Sequence, residues 1–473
     1  MSIWGTSLII VDKNTCTSPH LFNRVIPCNP CPRSSSMELV SPLLPTVLGD
    51  DEYYNLADSD LMLQFPVETG FLFEGEIDRK RFLHALERAL SAFPLFCGRL
   101  RTASDARHPW GIQLLNQPVE VEFIDAPDND MLPRDSVIQD PWYYSPPLDI
   151  DAIRVCKDTA LLKMRVINFQ TNPRVTTVGA TSAHLIGDGS FMTKFWRFIS
   201  HAYQSLSFPE AVPTYSRHPV DATCLEAWDR TELEEQFPQL LARNPSTQLP
   251  NSQRITLFFS PTQLTQLREI LSKRLQDANI SDNTIKLSVQ DCVTALVTTA
   301  CSQALAEMKS TRGPVKFISN VLNLRGGILP LDEPLNALSW ANATTSSPFD
   351  VVQTAVAIRR SFLTAREQTY QAACLLTIRR LWRDAADKGE KVDFTPLANS
   401  FLLNSSWRFD YTSAHFGFGQ SKTHFLHTVS KFPRYAKMFK RNPPLQFGKE
   451  SQPRQERGPG GAEFTFYLLP EDR

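Results

Sequence analysis

Within "HLIGDG", His184 to Gly189, an imidazole, a carboxylate and two glycines fall inside six residues. Unperturbed imidazole titrates near ~6.5, so at neutral pH His184 can accept a proton and return it. Asp188 with Gly189 before an apolar periodic segment reads as a turn with an N-cap. By spacing alone the group therefore has two descriptions, a proton-transfer site or a structural histidine next to a well-made turn. Other chemistries find less support. The chain has no G-x-S-x-G elbow, and Ser190 falls inside the expected first helical turn. The glycines before Lys422 and Thr423 lack the spacing of a phosphate loop or a dinucleotide loop, so neither NTP nor NAD chemistry is indicated. Cys28 and Cys31 form one C-x2-C with no second ligand pair, and no metal site is expected. If His184 is catalytic, it acts alone as a base on a substrate proton.

The elements that must hold this group can be read on either side of it. "RVTTVGATSAH" is rich in β-branched residues and predicts a strand ending near His184. Phe191, Phe195, Phe198, Ile199 and Ala202 then share one helical face. Upstream, Gly70–Phe73 reads as a strand, followed by a helix through Phe82, Leu86, Leu90 and Phe93 with Asp78 as N-cap and Pro94 as stop. "VEVEFI" and "ALLKMRVINF" add strands. The second half restarts in similar order. "RITLFF" is a strand, and Ser260 caps a helix with Pro261 at its first position. A longer helix from "SVQDCVTALV", the strand "VKFISNVLNLR", one long helix from "DVVQTAVAIRRSFLTAREQTYQAACLLTIRRLWRDAA", and "FLLNSSWRFDY" follow.

At 473 residues the chain is too long for one ordinary domain. Residues 1–36 end in the Pro/Ser-rich "CNPCPRSSS" and read as a poorly ordered extension. Residues 37–205 form a first lobe, the Pro-broken 206–252 a crossover, and 253–473 a second lobe, both α/β. Their interface is where a ligand site is expected. Lys+Arg 49 against Asp+Glu 50 leaves no excess positive field for nucleic acid or anionic lipid. Hydrophobic residues at 42%, with 30 Phe, suffice for a large core and exclude a disordered chain. No signal peptide or membrane helix is read, and cysteines such as Cys97, Cys292 and Cys374 within apolar patterns suit a reducing compartment. A cytoplasmic protein is expected, in which the N-x-[ST] matches at Asn279, Asn342 and Asn404 are chance.

Six stretches in fixed order resemble the BAHD acyltransferases, which move an acyl group from a coenzyme A thioester to an alcohol or amine. They are "RFLHALERALSAFPLFCGRL", "HLIGDGSFMTKFWRFIS", "SVQDCVTALV", "NVLNLRGGILP", "NSSWRFDYTSAHFGFG" and "GGAEFTFYLLP", spanning roughly residues 40–470. The variants look closer to fungal secondary-metabolism members, including trichothecene O-acetyltransferase-like ones, than to plant ones. The resemblance implies two similarly built lobes of the chloramphenicol acetyltransferase type, with a channel and the active site at their interface.

Carried over by motif, His184 is the general base that takes the acceptor hydroxyl proton as its oxygen attacks the thioester, with no covalent acyl-enzyme. Asp188 builds the site by pairing with Arg325, and Gly189 supports the turn. Ser405 and Trp407 are candidates for the oxyanion or acceptor contacts. His415, Phe416, Gly417, Phe418 and Gly419 stand where the family has "DFGWG", an element of the coenzyme A side of the channel. Here His replaces the Asp and removes a carboxylate. The resemblance further implies acetyl-CoA or another acyl-CoA as co-substrate, no permanently bound cofactor, a small hydrophobic alcohol as acceptor, no nucleic acid or membrane partner, and a monomer. A non-catalytic acyl-CoA or metabolite binder is the alternative, as is a condensation-domain-like enzyme. The latter usually carries a second His where this chain has Ala183.

Overall fold

The computed structural model describes residues 10–11, 34–46, 53–57, 60, 65–102, 110–126, 132–133, 135–171, 174–215, 218–237, 252–278, 285–310, 312–388, 390, 397–443 and 460–469. In chain order the principal strands are β1 (Ser34–Val40), β2 (Pro66–Phe73), β3 (Val119–Ala126), β4 (Leu162–Phe169), β5 (Val175–Ala183), β6 (Gln253–Phe259), β7 (Phe317–Asn323), β8 (Leu338–Thr344), β9 (Ser400–Ser405), β10 (Thr423–His427), β11 (Tyr435–Lys440) and β12 (Ala462–Leu468). The principal helices are α1 (Arg79–Ala92), α2 (Gly189–Tyr203), α3 (Pro261–Asp277), α4 (Val289–Glu307), α5 (Val351–Thr364) and α6 (Gln368–Asp387).

Two mixed sheets organise two α/β lobes. The first has the order β10-β2-β5-β4-β3-β1, parallel only between β4 and β3. The second runs from Ile10–Val11 through β6-β12-β11-β9-β7-β8, parallel at β11/β9 and β9/β7. A small sheet of Tyr53–Asn55, Trp110–Leu114 and Gly98–Thr102 flanks the first. Strand β10, from the second half of the chain, pairs Thr423–His427 with Phe73–Thr69 of β2. The first sheet is thus completed by the second lobe's chain, which ties the two together.

Packing accounts for where the helices go. Phe93 lies edge-on to Phe191, Phe195 and Phe198, so α1 and α2 close over the first sheet through an aromatic core. Asp78 caps α1, its side chain accepting from the Arg81 N–H at 2.7 Å, and the helix stops before Pro94. Ser260 and Gln263 make a reciprocal capping box at α3. The single long helix expected after Asp350 is two. Ile358 and Phe362 of α5 belong to the core shared with Phe401, Met438 and Phe464, whereas Cys374, Ile378 and Leu381 of α6 pack with Trp340, on the sheet's other face. One straight helix cannot cover both faces, so the chain breaks at Ala365.

Of the stretch expected to be an extension, Ile10–Val11 pairs with β6 and Ser34–Ser36 open β1, so sheet structure begins before residue 37. Within the expected crossover, Leu233 and Phe237 pack against α6. Among the described residues no helix is long and apolar enough to cross a membrane, and no cluster of three His, Cys, Asp or Glu is placed to hold a metal. Cys28 and Cys31 lie outside the described residues.

Candidate active site

Strand β5 is buried along its whole length because it lies between β2 and β4. It ends at Ala183, opposite Pro66. There the His184 N–H donates to the Phe65 carbonyl at 3.0 Å, and the Gly187 N–H closes a tight turn onto the His184 carbonyl at 3.1 Å. Gly187 has φ 158°, and a Cβ on it would come 2.5 Å from Phe191 Cδ1. Glycine is required there both by conformation and by space. Asp188 then caps α2, its Oδ1 accepting from the Ser190 and Phe191 N–H groups, each at 3.0 Å.

His184 is buried, with the Phe65 ring edge-on at 5.0 Å. Its Nδ1 lies 3.1 Å from Oδ1 of Asn336, a residue of the second lobe. The Asn336 amide nitrogen faces the His184 carbonyl at 3.0 Å and a carboxylate oxygen of Asp60 at 3.2 Å. Neither partner can donate to it, so the amide orientation is determined: Asn336 offers its oxygen to the imidazole, and Nδ1 carries the proton. The Nε2 lone pair is left available. Burial, with a smaller contribution from the Lys437 charge, lowers the imidazole's pKa. The ring's own backbone, Asp188 and Asn336 oppose that shift. His184 is therefore not alone; a side chain from across the interface sets its tautomer. No spacing signal marks Asn336, which interrupts the apolar "PLNALSW" 152 residues later.

The second oxygen of Asp188 faces the other lobe. Oδ2 accepts from Arg325 Nη1 at 2.7 Å and from the Ala337 N–H at 3.0 Å. Arg325 also donates through Nε to the Glu333 carbonyl at 2.8 Å and through Nη2 to the Leu335 carbonyl at 2.7 Å. Side-chain exposure is 6% for Arg325 and 1% for Asp188, so each charge depends on the other. One carboxylate thereby holds a helix start and fastens it to the loop that carries Asn336. Gly189 lies against Phe409, whose ring atom Cε2 a Cβ would approach to 3.1 Å.

The remaining sequence candidates lie elsewhere. Ser405 is in register with Met438, on the side of the second sheet that α5 covers, and Trp407 packs against the same core. The Trp407 indole N–H is buried without a hydrogen-bond partner among the described residues. Among the described residues no hydrogen bond or ring contact joins either to His184. Asn404 of β9 is on the opposite face, in register with Lys437. The "HFGFG" turn sits on the first lobe. Phe416, Gly417 and Gly419 have positive φ, the Phe416 N–H donates to Ser200 Oγ at 2.9 Å, and Phe416 and Phe418 pack on Phe73. His415 Nδ1 accepts from the Gly417 N–H at 3.0 Å. The imidazole thus supplies an acceptor for a turn N–H, as a carboxylate at that position can, and the turn delivers the chain into β10.

Searches with sequence find no matching family model and no matching curated protein. Solved structures do match. Vinorine synthase superposes with a TM-score of 0.63 at 14% identity, over 93% of this chain and 96% of that one. TRI101 of F. graminearum, complexed with coenzyme A and deoxynivalenol, gives 0.60 at 15%, over 89% and 96%. The fold is that of the BAHD acyltransferases. The first condensation domain of the calcium-dependent antibiotic synthetase, complexed with a substrate analogue, matches less well, with a TM-score of 0.51 at 12% identity over 89% and 92%. At these identities the likeness to the BAHD enzymes is one of fold.

Proposed function

We propose that this protein is an acyl-CoA-dependent O-acyltransferase that uses His184 as general base on a hydroxyl of a small, largely apolar acceptor. The observation that carries this is the Asn336 amide, which leaves His184 Nε2 as the basic atom at the meeting of the two lobes. A base at neutral pH must be uncharged, and burial favours that form. Nε2 takes the hydroxyl proton as the acceptor oxygen attacks the thioester carbonyl. The tetrahedral intermediate collapses, the C–S bond breaks, and the proton passes from Nε2 to the departing thiolate. Binding both reactants beside one imidazole contributes proximity as well as base catalysis.

Among structures sharing this fold, TRI101 has been complexed with coenzyme A together with deoxynivalenol or T-2, and with ethyl coenzyme A. These complexes support acyl-CoA as the co-substrate; acetyl transfer is the first reaction to test, and a channel between the lobes is the route to His184 that this reading requires. The "HFGFG" turn is assigned to the coenzyme A side, and Trp407 remains an oxyanion candidate. Thiol release from acetyl-CoA with hydroxylated metabolites, followed by mass spectrometry for a gain of one acetyl unit, tests the assignment. His184→Ala is expected to lower turnover by about 100-fold or more while the protein stays folded. Undiminished turnover in that variant would exclude the mechanism.

A further inference from the structure

A second polar cluster borders the candidate site. Glu68 lies on β2, three residues after Phe65, which touches His184. Its carboxylate lies beside the Thr428 side chain, which favours its charged form, while the Thr428 carbonyl accepts from Lys437 Nζ at 2.9 Å. Lys437 projects from β11 on the same face as Asn404, and the Asn404 amide donates to the Tyr435 hydroxyl at 3.1 Å. Ser430 completes the group at Tyr435. All six residues are half-buried and keep part of their surface exposed. Burial raises the pKa of Glu68 and lowers that of Lys437 to about 8, so water does not solvate either group fully. The two charges attract each other; among the described residues no direct ion pair joins them, and Thr428 stands beside both. Lys437 is also near enough to His184 for its charge to bear on the imidazole.

An ammonium with donors to spare and a carboxylate with lone pairs, set apart from each other, match a group that both donates and accepts. A hydroxyl does this: its oxygen accepts a hydrogen bond from Lys437 and its O–H donates one to Glu68. We propose that Lys437 and Glu68 bind a second hydroxyl of the acceptor, so that the preferred substrate is a diol or polyol acylated at one oxygen and anchored by another. This deepens the proposed function and rests on it. A lone-hydroxyl acceptor would forgo both of these hydrogen bonds, and a hydrogen bond to a charged group is commonly worth a factor of about 10 or more in binding.

The probes are menthol and p-menthane-3,8-diol, which share one carbon skeleton and differ in hydroxyl count. Thiol release from acetyl-CoA should show a KM for the diol about 10-fold or more below that for menthol. In Lys437→Met and in Glu68→Gln the two KM values should converge, and Lys437→Arg should retain the preference. Thermal unfolding shows that each variant is folded. Equal KM values in the wild type, or a preference surviving in both the Met and Gln variants, would overturn the proposal. Calorimetric binding of both probes to His184→Ala separates it from the catalytic reading. Diol selectivity there without turnover in the wild type would sink the acyltransfer assignment and support the anchor; absence of selectivity there would sink the anchor.

Discussion

Replacing Asp188 by Asn tests the architecture most sharply, because the change removes one charge and almost no volume. In the native site Oδ1 accepts two helix N–H groups, and Oδ2 accepts Arg325 Nη1 and the Ala337 N–H. An amide has one oxygen, so its NH2 must face two donors in either orientation. Facing Arg325, it leaves a guanidinium whose side chain is 6% exposed without a counter-charge. Breaking a buried pair in this way costs about 3–5 kcal/mol. With a urea slope near ~3 kcal/mol/M, the unfolding midpoint should fall by about 1 M or more. Arg325→Met should also destabilise, and the double variant should lose less than the sum of the singles, because the stranded charge is gone. Stability is read by urea unfolding and site geometry by thiol release from acetyl-CoA. A midpoint for Asp188→Asn within about 0.2 M of wild type, on that slope, would refute the reasoning.

Asn336→Leu should lower kcat by about 10-fold or more with little change in KM, since it releases the ring without removing the base; steady-state kinetics checks this. The Glu463 carboxyl is pushed up to about 7 by burial, with Asp135 adding to the shift and Ser136, Arg254 and Arg441 opposing it. Its raised folded pKa means that its contribution is fully present below about 4.5 and is lost as pH rises through about 7. Glu463→Gln should remove that decline, worth up to about 3 kcal/mol, which unfolding midpoints at pH 5 and pH 8 would reveal. His415→Asp should leave stability near wild type by restoring a carboxylate acceptor for the Gly417 N–H, whereas His415→Ala should cost about 1 kcal/mol in thermal unfolding.

Local chemistry was legible in the sequence. The β-branched run predicts β5, the apolar periodicity predicts α2, and Asp188 before Gly189 predicts the cap between them, because each signal lies within one or two turns of chain. The caps at Asp78 and Ser260 were readable for the same reason. Resemblance reached further, pairing Asp188 with Arg325 137 residues away, and the structure brings the two together. It did not reach Asn336, Lys437 or Glu68. Nor could periodicity separate α5 from α6, because which face of a sheet a helix covers is not encoded in its own apolar stripe. The sequence by itself determined that a histidine stands at the end of a buried strand, held by a capped turn. Which nitrogen carries its proton, and which charges stand beside it, were decided only when the second lobe packed against the first. Tautomer and field depend on groups distant along the chain, and those meet only through tertiary contact.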